Sequence, residues 1–113
     1  NIAKSIVTFD VKVYEQETNL DDLAKKIFAE IAVEGLVWNK DYKILPVAFG
    51  MNKLQLGCVV EDEKVSTDDF LETIESWEDV QSTDIASFKN YDHIITIMYH
   101  LNFFYPTHNY IIY

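Results

Sequence analysis

The chain has 113 residues, enough for one domain around a single core and too few for two. Nine lysines and no arginine face nineteen acids, a formal net charge of −10. Such a surface repels phosphate backbones and anionic lipid and attracts basic proteins, so direct nucleic-acid or membrane binding is not expected.

The one cysteine, Cys58, excludes an internal disulfide and a multi-cysteine metal site. It fits a reducing compartment, and a cytoplasmic location is expected. No signal peptide precedes the first structured run and Asn1 is not an initiator residue, so the sequence reads as a piece of a longer or processed chain.

Ser5 to Tyr14 alternates, with Val7, Phe9, Val11 and Val13 on one face and Thr8, Asp10 and Lys12 on the other, as a half-buried strand requires. Asn19 then opens a helix: its side chain can accept from a first-turn amide, and Asp21 and Asp22 favour the positive end of the dipole. Leu20, Leu23, Ala24, Ile27, Phe28 and Ile31 form one apolar stripe, and Gly35 is expected to end the helix in a left-handed cap.

Two strands follow, about Lys43 to Met51 and Lys53 to Glu61. The second turns Leu54, Leu56, Cys58 and Val60 to one face and Gln55, Gly57 and Val59 outward. Pro46 has no amide hydrogen, so its strand lies at an edge or carries a bulge. Ser66 starts a second helix with Asp69 three residues on, and Phe70, Leu71, Ile74 and Trp77 make its buried stripe. Val80 to Phe88 is a weaker run that reads as a last strand. The order βαββαβ is the α+β, ferredoxin-like split βαβ plan, an antiparallel four-stranded sheet with both helices on one face.

No catalytic constellation stands out. His93, His100 and His108 lie far from any nucleophile motif, and their seven- and eight-residue spacing matches no ligand pattern, so no metal is expected. Cys58 reads as a core thiol. The only glycines, Gly35, Gly50 and Gly57, form no phosphate-binding loop, and no cofactor is expected. An RNA-binding module of this fold would display paired aromatics flanked by basic residues on its central strands, whereas the strand from Lys53 to Glu61 turns Gln55, Gly57 and Val59 outward and the net charge has the wrong sign. Nine of the nineteen acids fall between Glu61 and Asp79. They make a solvated helix face and also a field that speeds encounter with a basic partner.

Three segments carry a resemblance: Glu34 to Trp38; Leu45 to Met51; and Lys53 to Val65, which reads KLQLGCVVEDEKV. With Val80 to Ala86 (VQSTDIA), they resemble, in order and nearly without gaps from Lys4 to Asn90, the guanine-nucleotide-exchange domain of the elongation factor 1-beta and -delta family. The resemblance implies an exchange factor for the GTPase elongation factor 1-alpha, acting without covalent chemistry. One end of the domain would meet the GTPase's switch regions and the other its second domain. A lysine near the domain's C-terminus would press on the magnesium site.

The family pattern places Phe49 as an exposed aromatic for the partner, although Phe49 shares the parity of Leu45 and Val47 and so could lie in the core. Lys53 matches one of two adjacent lysines; Asn52 stands at the other. Trp38 matches a family tryptophan and reads as structural, with Asn39 where a glycine is usual. Asn90 occupies the position of the C-terminal lysine and Lys89 comes one residue early, a shift that turns a side chain to the opposite face of an extended strand. Elongation factor 1-gamma is a further implied partner, through an N-terminal region beyond this sequence. A non-catalytic subunit that binds elongation factor 1-alpha without exchange is the alternative.

Residues 1–90 are thus expected to form the exchange domain and 91–113 an apolar extension outside the family pattern. Ile94, Ile97, Met98, Leu101 and Tyr105 fit a helical stripe between Asp92 and Pro106, while the β-branched and aromatic content fits a strand; helix is preferred. Such a tail should fold back or mediate self-association.

Overall fold

The computed structural model describes residues 2–91 and 110–112. In chain order the elements are β1 (Lys4–Val13), α1 (Leu20–Glu30), β2 (Leu36–Asn39), β3 (Lys43–Pro46), β4 (Asn52–Glu61), α2 (Thr67–Glu75), β5 (Val80–Asn90) and β6 (Tyr110–Ile112). The sheet runs β5-β1-β4-β2-β6, and β3 pairs with β4 beside that path. Without β3 and β6 this is the ferredoxin-like order, α+β with antiparallel pairing, as expected. The sheet has six strands rather than four.

The alternating pattern of β1 is realised directly. Val7, Phe9 and Val11 are fully buried and pair with Cys58, Leu56 and Leu54 of β4. Against this face pack Leu20, Leu23, Ala24 and Ile27 of α1 and Phe70, Leu71 and Ile74 of α2, forming one core. At its centre the rings of Phe9, Trp38 and Phe70 lie 5.8 Å apart pairwise in tilted or edge-on contact. Each such pair adds roughly 0.5–1.5 kcal/mol beyond area burial.

Both helix starts follow their caps. The Asn19 side chain accepts from the Asp22 amide at 3.0 Å and Ser66 Oγ from the Asp69 amide at 3.3 Å. The end of α1 differs from expectation. The helix stops at Glu30, and Ile31 turns its side chain into the core and receives a hydrogen bond at its carbonyl oxygen from the Trp38 indole N–H, 2.8 Å away. Gly35 is therefore not the helix cap. It turns the chain into β2 at φ +92°, and its carbonyl accepts from the Glu61 amide at 2.8 Å.

The single strand expected over Lys43 to Met51 is also corrected. β3 ends at Pro46, and a tight turn through Ala48–Gly50 reverses the chain into β4. β2 was not expected; four residues are too few to show a period, yet Leu36 and Trp38 are fully buried. Trp38 is structural, as anticipated.

Val59 lies on the open face, paired with Ile6 and Val37, and is nonetheless only 9% exposed. β5 reads weakly because it is an edge strand on which only Val80 is buried. The helix expected between Ile94 and Tyr105, and all three histidines, lie outside the described residues. Among the described residues no helix is long and apolar enough to cross a membrane.

Candidate functional site: two ends of one sheet

The antiparallel β3–β4 hairpin brings Phe49 to its tip. Val47 donates to the Met51 carbonyl at 2.8 Å and Met51 to that of Ala48 at 3.3 Å, which closes the turn. Two consecutive residues then take left-handed backbone conformations, Phe49 at φ 62° and Gly50 at φ +74°. This costs glycine little, but for a bulky L-residue it is strained by about 1–2 kcal/mol. The ring gains no compensating burial, since Phe49 is 98% exposed. The core reading of Phe49 fails because the turn takes the residue off the strand alternation. From the β1–α1 loop, Gln16 Nε2 donates to the Gly50 carbonyl at 3.2 Å and braces the tip.

Asn52 and Lys53 start β4 just below the tip. Asn52 is exposed and pairs with Pro46. Lys53 is not a free cation: its Nζ lies 2.9 Å from Asp10 Oδ2, and Gln55 Nε2 donates to Asp10 Oδ1 at 2.9 Å. Asp10 is 8% exposed on the open face of the sheet. Burial pushes its carboxyl up, but the bonds from Lys53 and Gln55 and the charges of Lys53 and Lys12 outweigh that and hold it below its ordinary value. Asp10 and Gln16 were not singled out from sequence. Both act through residues more than thirty positions away, so only the register reveals them.

Lys89 lies at the far end. β4 has ten residues, so at about 3.3 Å per residue the two ends of the sheet are on the order of 30 Å apart. The face that Lys89 occupies is decided by a β-bulge. Thr8 pairs with Ser87 but Phe9 with Ile85, leaving Ala86 as the extra residue. Beyond it Lys89 pairs with Ile6, on the open face, and Asn90 with Ser5, on the helix face. Lys89 is exposed, and no carboxylate among the described residues pairs with it. Lys4 holds its ammonium 5.5 Å from the Tyr91 ring centroid, which ties down the end of β5.

Cys58 is fully buried, and burial pushes its thiol up to about 12, far from a reactive thiolate. Among the described residues no group of His, Cys, Asp and Glu is placed to hold a metal.

The profile of the EF-1 guanine nucleotide exchange domain matches residues 6–90. The chain belongs to this family. It is 54% identical over 86 residues to elongation factor 1-beta of Saccharomyces cerevisiae, an overlap covering 75% of this chain and 41% of that protein. Elongation factor 1-beta' of Bombyx mori is 47% identical over 88 residues, covering 77% of this chain and 39% of that protein. A probable elongation factor 1-delta of Drosophila melanogaster is 50% identical over 88 residues, 77% of this chain and 34% of that protein. The chain thus spans roughly two fifths of these relatives' length or less. The exchange-domain match stops at Asn90, the last residue of β5.

Proposed function

We propose that the chain promotes release of GDP from elongation factor 1-alpha. The observation that carries this reading is the strained, fully presented Phe49 at one end of the sheet, with an exposed lysine about 30 Å away at the other. A strained exposed aromatic contributes nothing to the fold and is explained by a partner with a pocket for it. Phe49 and Asn52 would hold the GTPase at one end, with Lys53 kept in place by Asp10. At the other end the Lys89 ammonium would compete with the GTPase-bound magnesium ion and so unscreen the phosphates.

The thermodynamics is linkage. A factor that binds the empty GTPase more tightly than the GDP-bound form must weaken GDP binding by the same ratio. No covalent bond forms or breaks. The described core lies within residues 2–90, and Tyr110–Ile112 add β6 to the β2 edge, away from β5.

The test is stopped-flow release of fluorescent GDP from elongation factor 1-alpha with the intact chain and with Lys89→Met. The reading expects release faster by orders of magnitude, largely lost in the variant. Tight binding with unchanged release would favour the second reading, a subunit that binds the GTPase without exchange. That reading draws on one observation: Lys89 and Asn90 point to opposite faces, so the ammonium is not on the face taken by the residue at the family lysine position.

A further inference from the structure

Beside α2, on the helix face of the sheet, lies a groove of about 370 Å³ whose wall includes Val60, Val65, Ile85 and Phe88, with Asp62 and Asp68 at its rim. Val60 and Val65 are buried, whereas the two edge-strand side chains are not. Ile85 remains 46% and Phe88 53% exposed.

Their alignment has a specific cause. Residues three apart on a regular strand point to opposite faces. The extra residue at Ala86 resets the parity, so Ile85 pairs with Phe9 and Phe88 with Val7, two core-facing positions. The bulge that turns Lys89 to the open face therefore also brings Phe88 round beside Ile85. Other large exposed apolar side chains, such as Tyr14 and Ile44, line no common groove with these two. On the same edge the Thr83 amide donates to Glu75 Oε2 at 3.0 Å, which closes the strand to a new neighbour lower down and leaves the Ile85–Phe88 end as the approachable part.

We propose that this groove docks a segment of the partner GTPase in which a lysine or arginine stands beside a large apolar residue. The proposal rests on the exchange reading above, and it adds a contact surface on the face opposite Lys89. Charge complementarity selects the occupant. Asp62 and Asp68 form no ion pair with any described residue, and they belong to a chain of net charge −10. An apolar side chain fits between Ile85 and Phe88, and its basic neighbour meets the two carboxylates. Because Phe88 immediately precedes Lys89, a partner reaching Lys89 over the end of β5 is within reach of the groove.

The experiment measures the Kd of the intact chain for nucleotide-free elongation factor 1-alpha at low and moderate salt, with Phe88→Ser, Ile85→Ser and the pair Asp62→Asn with Asp68→Asn. Urea unfolding midpoints identify variants that remain folded. Phe88→Ser is expected to raise Kd about tenfold, as loss of an interface anchor does. If it does not fold, Ile85→Ser carries the same expectation. The double asparagine variant is expected to raise Kd several-fold at low salt and to flatten its salt dependence. Folded serine variants binding within about twofold of the wild type overturn the proposal, as does an unchanged salt dependence in the acid pair. A wild-type chain that fails to bind the GTPase at all removes the exchange reading first, and this proposal with it.

Discussion

Lys53 and Asp10 are joined across β4 and β1 by a 2.9 Å ion pair on the open face of the sheet, with both side chains largely withdrawn from water. The pair ties Lys53, which the family resemblance assigns to a partner, into the protein's own framework as well. It also makes stability depend on pH in a defined direction.

Asp10 has a folded-state pKa below its ordinary value, so its contribution is present in full above the unfolded value and is lost as pH falls through the folded one. Lys53→Met removes the main partner. The variant is expected to be less stable by about 1–2 kcal/mol at neutral pH, after discounting for the residual exposure of Lys53. The deficit should shrink toward zero once Asp10 is protonated in both proteins. Urea unfolding at neutral pH and at about pH 2.5 checks this; a deficit of equal size at both would assign the effect to packing instead.

Phe49 combines strain with exposure, which separates binding from stability. Phe49→Ala should leave the melting temperature near that of the wild type while weakening the complex with elongation factor 1-alpha. Phe49→Gly should go further and relieve the left-handed backbone strain, holding or raising stability by up to about 1 kcal/mol. Thermal melts of both variants decide. A collapse of the melt would mean that the ring supports the fold.

The Trp38 indole bond to Ile31 is buried and joins the end of α1 to β2. Trp38→Phe keeps an aromatic ring among Phe9, Phe28 and Phe70 but leaves the Ile31 carbonyl oxygen without its donor. The expected loss is about 1–3 kcal/mol for the unmet acceptor, with a smaller addition for the lost volume. Equilibrium unfolding measures it, and a loss below about 0.5 kcal/mol would show that the carbonyl finds another partner.

Gly35 adopts φ +92°, and a Cβ there would lie 3.0 Å from the Lys64 Cβ and 3.2 Å from a Glu61 carboxylate oxygen. Gly35→Ala is expected to cost more than about 1 kcal/mol, because backbone strain and crowding add. A urea midpoint equal to the wild type would contradict the geometry.

Much of the fold was legible because β1, β4 and the two helices carry clean periods and clean caps. Val7 through Val13 name their own face, and Asn19 and Ser66 name their own helices. The misreadings share a cause: local patterns do not report long-range pairing. β2 is too short to display alternation, and only its place beside β4 makes Leu36 and Trp38 inward. Gly35 has the chemistry of a cap but serves a turn, because α1 stops at Glu30 and the Trp38 indole takes the carbonyl of Ile31, the residue that follows it. At the candidate site the exposure of Phe49 was expected from resemblance and left open by parity. The Asp10–Lys53 pair was invisible because it depends on a register that no stretch of sequence states. The faces of Lys89 and Asn90 turn on Ala86, whose extra residue shifts the alternation by one.

The Gln16 amide that braces the Gly50 carbonyl has a consequence for recognition. A loop already locked into one shape gives up little freedom when its aromatic ring enters a pocket, so more of the contact energy survives as affinity. In the proposed exchange role the same rigidity would fix the direction from which a pocket must approach, so the hairpin would select its target by angle as well as by fit.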